Sequence, residues 1–277
     1  MFGLFRRHNK LATIGLTSHR LAMLSVSEKL KPMTQVEFEM ANQSLEEMFQ
    51  WVTDSQGQHW FNAGHFNLST QASEDYQLKL SHCLGSQAMP VVLTNHCETL
   101  LHTLPLIHAS KRELGIVHIG RQFELKPSLD LQQGSAFHFA LSRYGECRLF
   151  CLGIDAQLQN DQVWEYAEDL GCDWLTLDEC SFLHRFQVKQ QLATYLGHCD
   201  DVIVNIDLNC LYPATRLEGY SALEVQMVNR MLRQLLLSSK VRLVQLVGYT
   251  DKHLYSKPTQ SILHELGQLT PFRDRAA

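Results

Sequence analysis

The chain has 277 residues, 45% of them hydrophobic and 19% charged, with 24 Lys and Arg against 29 Asp and Glu. A net charge of −5 with dispersed cations carries no nucleic-acid footprint, and no stretch approaches the ~20 apolar residues of a membrane span. The apolar residues 1–5 precede the basic pair Arg6 and Arg7, the reverse of a secretory leader, so a cytoplasmic protein is expected. None of the eight cysteines forms a Cys-x-x-Cys pair, and most lie in apolar runs, which points to reduced thiols packing as small hydrophobes.

In chain order, residues 11–16 read as a first strand. Residues 34–53 space Val36, Phe38, Met40, Leu45, Met48, Phe49 and Val52 near helical period. No period dominates over 56–70. Residues 75–85 are weakly helical, 90–94 a short strand, 98–109 helical despite Pro105, and 114–119 and 148–154 strands. There follow a helix over 161–171 that ends on glycine, a strand over 173–177, a helix over 182–196 and a strand over 201–207. A long amphipathic helix over 218–239, a strand over 241–249 and a helix over 258–269 complete the chain. Short continuous apolar strands alternating with helices predict an α/β protein with a parallel sheet covered on both faces. No repeat, low-complexity tract or linker interrupts it, so one domain over 1–277 is expected.

Three of the apolar runs end in polar clusters: Thr94-Asn95-His96-Cys97-Glu98, Gly120-Arg121-Gln122-Phe123-Glu124, and Asp207-Leu208-Asn209. Strand ends that converge in this way are where an open α/β sheet builds a site. There is no Ser-His-Asp elbow, Gly-x-Gly-x-x-Gly fingerprint or phosphate loop.

The ordered set of clusters resembles the ureohydrolase family of arginase, agmatinase and formimidoylglutamase, and formimidoylglutamase most. Leu93-Thr94-Asn95-His96-Cys97-Glu98 stands where that branch has Leu-Gly-Gly-Gly-His-Glu. His118-Ile119-Gly120-Arg121-Gln122-Phe123-Glu124-Leu125-Lys126 stands for Asn-Phe-Asp-Ala-His-Phe-Asp-Leu-Arg. Asn205-Ile206-Asp207-Leu208-Asn209 stands for Ser-Ile-Asp-Leu-Asp, and Glu218-Gly219-Tyr220-Ser221-Ala222 follows as Pro-Gly-Val-Ser-Ala does. The resemblance implies a three-layer α/β/α fold around a mostly parallel sheet of about eight strands, the arginase-like fold. It also makes a homo-oligomer an expectation.

In that family two manganese ions, held by two His and four Asp, share a bridging hydroxide that attacks a guanidino or formimino carbon. The resemblance sets Cys97, Gly120, Gln122, Glu124, Asp207 and Asn209 at the ligand positions, and Gln245 at that of a substrate-facing Glu. Only Asp207 is unchanged. Two divalent ions in a partly dry site would face Glu124 and Asp207 alone, with Cys97 as a third anion if metal lowers its pKa, a deficit costing on the order of several kcal/mol. Without both ions the bridging water is not activated near neutral pH.

The expectation is therefore a pseudoenzyme with no cofactor that binds a small molecule or protein. Two alternatives stay open. A remnant manganese or zinc site would use Cys97, Glu124 and Asp207, with His96 or His118. A metal-free enzyme would use Cys97 as nucleophile with His96 or His118 as base. In a collapsed site Arg121 is expected to lie over Glu124 and Asp207 as their counter-ion. Gly134, Ser135 and His138 resemble a rim turn at the substrate position, with His138 on a solvated loop; Asp155 reads as a residue approaching a helix.

Overall fold

The continuous apolar runs become the inner strands of one parallel sheet. The computed structural model describes residues 21–55, 60–69, 73–86, 88–108, 112–212 and 222–269. In chain order its elements are β1 (Leu21–Ser27), α1 (Gln35–Ser55), β2 (Trp60–Asn67), α2 (Ser73–Leu84), β3 (Met89–Thr94), α3 (Leu100–Ile107), β4 (Leu114–Ile119) and α4 (Ala136–Arg143). There follow β5 (Cys147–Ile154), α5 (Asp161–Asp169), β6 (Asp173–Thr176), α6 (Arg185–Gly197), β7 (Asp201–Asp207), α7 (Val225–Leu237), β8 (Val241–Val247), α8 (Asp251–Leu254) and α9 (Lys257–Leu269). Single 3₁₀ turns stand at Cys97–Thr99, Ala156–Leu158, Phe182–His184 and Leu208–Leu211.

The strand order is β2-β1-β3-β8-β7-β4-β5-β6, and every neighbouring pair is parallel. Helices cover both faces, so the inner strands need apolar residues on both sides and read as unbroken runs. One core holds Leu45, Met48, Val204, Met227, Met231 and Leu246; the opposite core holds Tyr76, Val92, Ile116, Phe137, Cys151 and Leu243. Each fully buried aliphatic or aromatic side chain contributes roughly 1.5–3 kcal/mol.

Local chemistry sets the element boundaries. At the start of α1 the Thr34 amide and hydroxyl both donate to Glu37 Oε2 at 2.8 Å, and the Glu37 amide returns to Thr34 Oγ1 at 3.3 Å, a capping box. Asn160 caps α5 by accepting from the Val163 amide at 3.0 Å.

The expected strand over 11–16 lies outside the described residues, as does most of the Glu218-to-Ala222 segment. The observed β1 was not anticipated: Leu21-Ala22-Met23-Leu24-Ser25-Val26-Ser27 mixes serine with apolar residues and shows no period, yet all seven side chains are buried between β2 and β3. Edge strand β2 occupies the stretch without a dominant period. The amphipathic helix begins at Val225, and the last strand ends at Val247 before Gly248.

Candidate functional site

β3, β8, β7 and β4 are adjacent, and their registers bring His118, Asn205 and Gln245 into one row: His118 pairs with Asn205, Asn205 with Gln245, and Gln245 with Val92. In parallel strands such a row points to one face, and here it is the face of Val92, Cys151 and Phe137. Each of the three polar residues sits in a buried run, at 1%, 0% and 0% exposure. Buried polar groups require partners, and these find them in each other. Gln245 Nε2 donates to Asn205 Oδ1 at 2.8 Å and to the Cys97 carbonyl at 3.2 Å. Asn205 Nδ2 donates to His118 Nδ1 at 2.9 Å and to Cys97 Sγ at 3.4 Å. His118 Nε2 donates to the Gln122 carbonyl at 3.0 Å. The His118 ring packs on Phe137 with centroids 4.9 Å apart.

This network fixes the state of its members. Both His118 nitrogens are engaged, and burial pushes its pKa down to about 4, so the ring is neutral. Burial, and then the nearby Glu124, Asp207 and Glu98 carboxylates, hold the Cys97 thiol well above its ordinary pKa. His96 is 2% exposed and burial drives its pKa to about 4. Cys97 is thus held as a protonated thiol, and His96 and His118 are neutral, weak bases.

His118 also determines what position 120 can hold. A Cβ on Gly120 would lie 2.3 Å from His118 Nε2 and 2.5 Å from Cε1, closer than nonbonded atoms approach. The ring fills the space into which a side chain at the end of β4 would project.

Beyond Gly120 the chain turns over the strand ends. Arg121 is 5% exposed and pairs with Asp155, with a second bond from Nη1 to the Tyr212 carbonyl at 3.2 Å. This corrects the expected placement over Glu124 and Asp207. Arg121 does help to lower the Asp207 pKa, but its ion-pair partner is Asp155 at the end of β5, which also caps the following turn through the Gln157 amide at 3.0 Å. Gln122 is exposed. Glu124 is half-buried in the left-handed region at φ 52°, and burial, then Glu98 and Asp207, raise its pKa to about 8. Burial raises the Asp207 pKa to about 6 against the opposing hydrogen bonds from Asn209.

Buried Glu98 anchors the next loop. Its Oε1 accepts from the Gly134 and Ser135 amides at 2.7 and 2.9 Å, just before α4. His138 lies within α4 rather than on a solvated loop, and its Nδ1 meets the Tyr166 hydroxyl at 2.7 Å. A cleft of about 580 Å³ opens here, lined by Gln122, Glu124, Lys126, Gly134, Asn160 and Tyr166 among others.

No family model matches the chain. Formimidoylglutamase of Chromobacterium violaceum is 26% identical over 151 residues, which are 52% of this chain and 48% of that protein. Formimidoylglutamase of Ralstonia nicotianae is 30% identical over 118 residues, 41% of this chain and 36% of that protein. The match therefore spans about half or less of these relatives' length. Among solved structures, formiminoglutamase of Trypanosoma cruzi with manganese superposes with a TM-score of 0.69 at 12% identity, covering 93% of this chain and 96% of that one. Arginase of Bacillus subtilis gives 0.67 at 14% identity, covering 91% and 97%. The chain is similar in sequence to formimidoylglutamases and in fold to arginases and formiminoglutamase. Its eight-stranded parallel sheet with flanking helices is the arginase-like fold.

Within this arginase-like fold, Cys97, Gly120, Gln122, Glu124, Asp207 and Asn209 lie just beyond the ends of β3, β4 and β7, and the Glu124 and Asp207 carboxylates act on the Cys97 thiol. Among the described residues no group of three or more His, Cys, Asp or Glu is arranged to hold a metal ion. Gln245 is brought in as a member of the buried network. Gly134 borders the cleft and Ser135 is buried behind it, with both amides committed to Glu98. Sequence reasoning passed over Asn205, the hub of the network. The available signal was one polar residue in each of three buried runs, at positions 118, 205 and 245.

Proposed function

We propose that this chain keeps the ureohydrolase frame without its two-ion chemistry and serves as a binding protein for a small polar ligand in the cleft beside Glu124. One observation carries the reading: the neutral His118 ring stands where a ligand side chain at position 120 would project. The rest of the donor set agrees. Gly120 offers no side-chain donor, Gln122 and Asn209 are neutral amides, and Cys97 is a protonated thiol bound to Asn205. Two manganese ions do not fit these residues, and no hydrolytic step is assigned through them. The eight cysteines are free and buried, which suits a reducing cytosol. The test is titration of chelator-treated protein with manganese and zinc by calorimetry, alongside assays with formiminoglutamate, agmatine and arginine. Neither ion should bind stoichiometrically and no substrate should turn over; two tightly bound ions per chain would overturn the reading.

A second reading is a remnant centre holding one ion at Cys97, Glu124 and Asp207. It is favoured by proximity alone, since both carboxylates act on the Cys97 thiol. It requires one equivalent of zinc that is lost on Cys97→Ala.

A further inference from the structure

On the face of the sheet opposite the polar network, α6 and α7 enclose a groove of about 600 Å³. Val188, Leu196, Met227 and Met231 form its apolar floor, and all are buried in the core. Arg185, Lys189, Arg230, Arg233 and Lys240 line it, and no carboxylate does. Three of these cations already hold partners, Arg185 among them through one bond from Nη1 to the Phe182 carbonyl at 3.0 Å. Arg233 pairs with Glu265 at 2.6 Å, and Lys240 donates to the Leu196 and Cys199 carbonyls at 2.7 Å each. Among the described residues, Arg185, Lys189 and Arg230 have no carboxylate at ion-pair distance. In a chain of net charge −5 this is a local reversal of sign.

The two arginines are also pre-positioned. The Arg185 guanidinium lies 4.6 Å from the ring centroids of both Phe182 and Phe186, and that of Arg230 lies 5.1 Å from Phe182. Phe186, Arg185, Phe182 and Arg230 thus form a ladder that holds two planar forks beside the groove. At its end Phe186 and Leu183 are 71% and 83% exposed. Exposed aromatic residues next to oriented arginines are the composition of an interface centre.

We infer that this groove docks an acidic amphipathic helix of a partner protein. A groove between two helices accepts the apolar stripe of a third, and the arginine forks take carboxylates on its flank. The chain's own terminal stretches do not complement it. Residues 1–20 carry Arg6, Arg7, Lys10 and Arg20 and no acid, and residues 270–277 carry two arginines and one aspartate.

The probes are a labelled helical peptide with one leucine face flanked by glutamates, the same peptide with lysines for the glutamates, and a scramble of equal composition. Their binding to the full chain is followed by anisotropy, and the footprint by hydrogen exchange. The acidic amphipathic peptide should bind best, weaken with salt, and slow exchange in α6 and α7. Arg230→Glu should weaken it at least about tenfold and Arg230→Lys much less, with circular dichroism unchanged because Arg230 is at the surface. Equal binding of the lysine peptide or scramble, indifference to Arg230→Glu, or protection elsewhere would overturn the inference. So would preferential binding of a single-stranded oligonucleotide or anionic vesicles, or self-association abolished by Arg230→Glu, which would make a second copy the occupant.

Discussion

His118 Nε2 lies where a side chain on Gly120 would begin, two residues further along the same chain. The ring reaches over the strand end, bonds the Gln122 carbonyl, and leaves room at 120 for hydrogen alone. The two positions are therefore a matched pair. Gly120→Ala should destabilise the protein by about 1–3 kcal/mol, the cost of overpacking a well-filled site. In the His118→Ala background the same substitution should cost much less, because the obstruction is gone. Urea denaturation of the four members of this cycle gives the coupling; additive effects would show that the ring does not exclude side chains at 120.

The hub at Asn205 gives a second expectation. Its amide donates to both His118 and Cys97 and accepts from Gln245. Asn205→Ala strands two strong buried partners at once and opens a small cavity. A loss of roughly 2–4 kcal/mol is expected, against about 1 kcal/mol or less for Gln162→Ala at the exposed rim of the cleft. Thermal and urea unfolding of the two variants checks this. A loss at Asn205 no larger than that at Gln162 would mean that the network does not hold the strand ends together.

The carboxylates predict an unusual pH dependence. Glu124 has an ordinary pKa of 4.5 and one of about 8 in the fold. Between these values the folded state holds a proton that the unfolded chain has lost, so the stability it contributes is full below pH 4.5 and declines as pH rises through 8. His118 acts in the opposite sense. With a folded pKa of about 4 against 6.5, it costs stability as pH falls from 6.5 toward 4. Between pH 4.5 and 6.5 the two slopes oppose each other and nearly cancel, so urea midpoints should be highest there, falling as pH rises from 6.5 to 8 and again below 4.5. Glu124→Gln should flatten the alkaline limb by about 1 kcal/mol or more, and an unchanged limb would remove Glu124 as its cause.

The frame of this site was legible in the sequence. β4 and β7 are found at their expected residues, since a parallel strand buried on both faces leaves an unbroken apolar run. Segments governed by neighbours were not legible. Nothing local separates Leu21–Ser27 from a loop; its burial comes from pairing with β2 and β3. The helix Ala136–Arg143 was hidden behind Gly134 and Ser135, whose turn-like character reflects their amides binding Glu98, a contact across 36 residues. The pairing of Arg121 with Asp155 depends on the ends of β4 and β5 meeting. For the same reason the ligand-like clusters could be placed, whereas the role of Asn205 follows only from the register that sets it between His118 and Gln245.

The last prediction concerns Cys97. The thiolate is the reactive form of cysteine, and Cys97 has burial and three carboxylates against it, with a single weak bond from Asn205 Nδ2 in its favour. Every other cysteine is also free and buried. In native protein at pH 8, disulfide reagents should therefore modify Cys97 slowly, and all eight thiols should react rapidly once the chain is unfolded. Asn205→Asp should not speed labelling of Cys97 in the folded protein, because a carboxylate there removes the donor and raises the thiol pKa further. Mass spectrometry of partially labelled peptides separates Cys97 from the others. Selective modification of Cys97 within seconds, with a pH midpoint near or below that of an ordinary thiol, would show an activated nucleophile and return the chain to the class of enzymes.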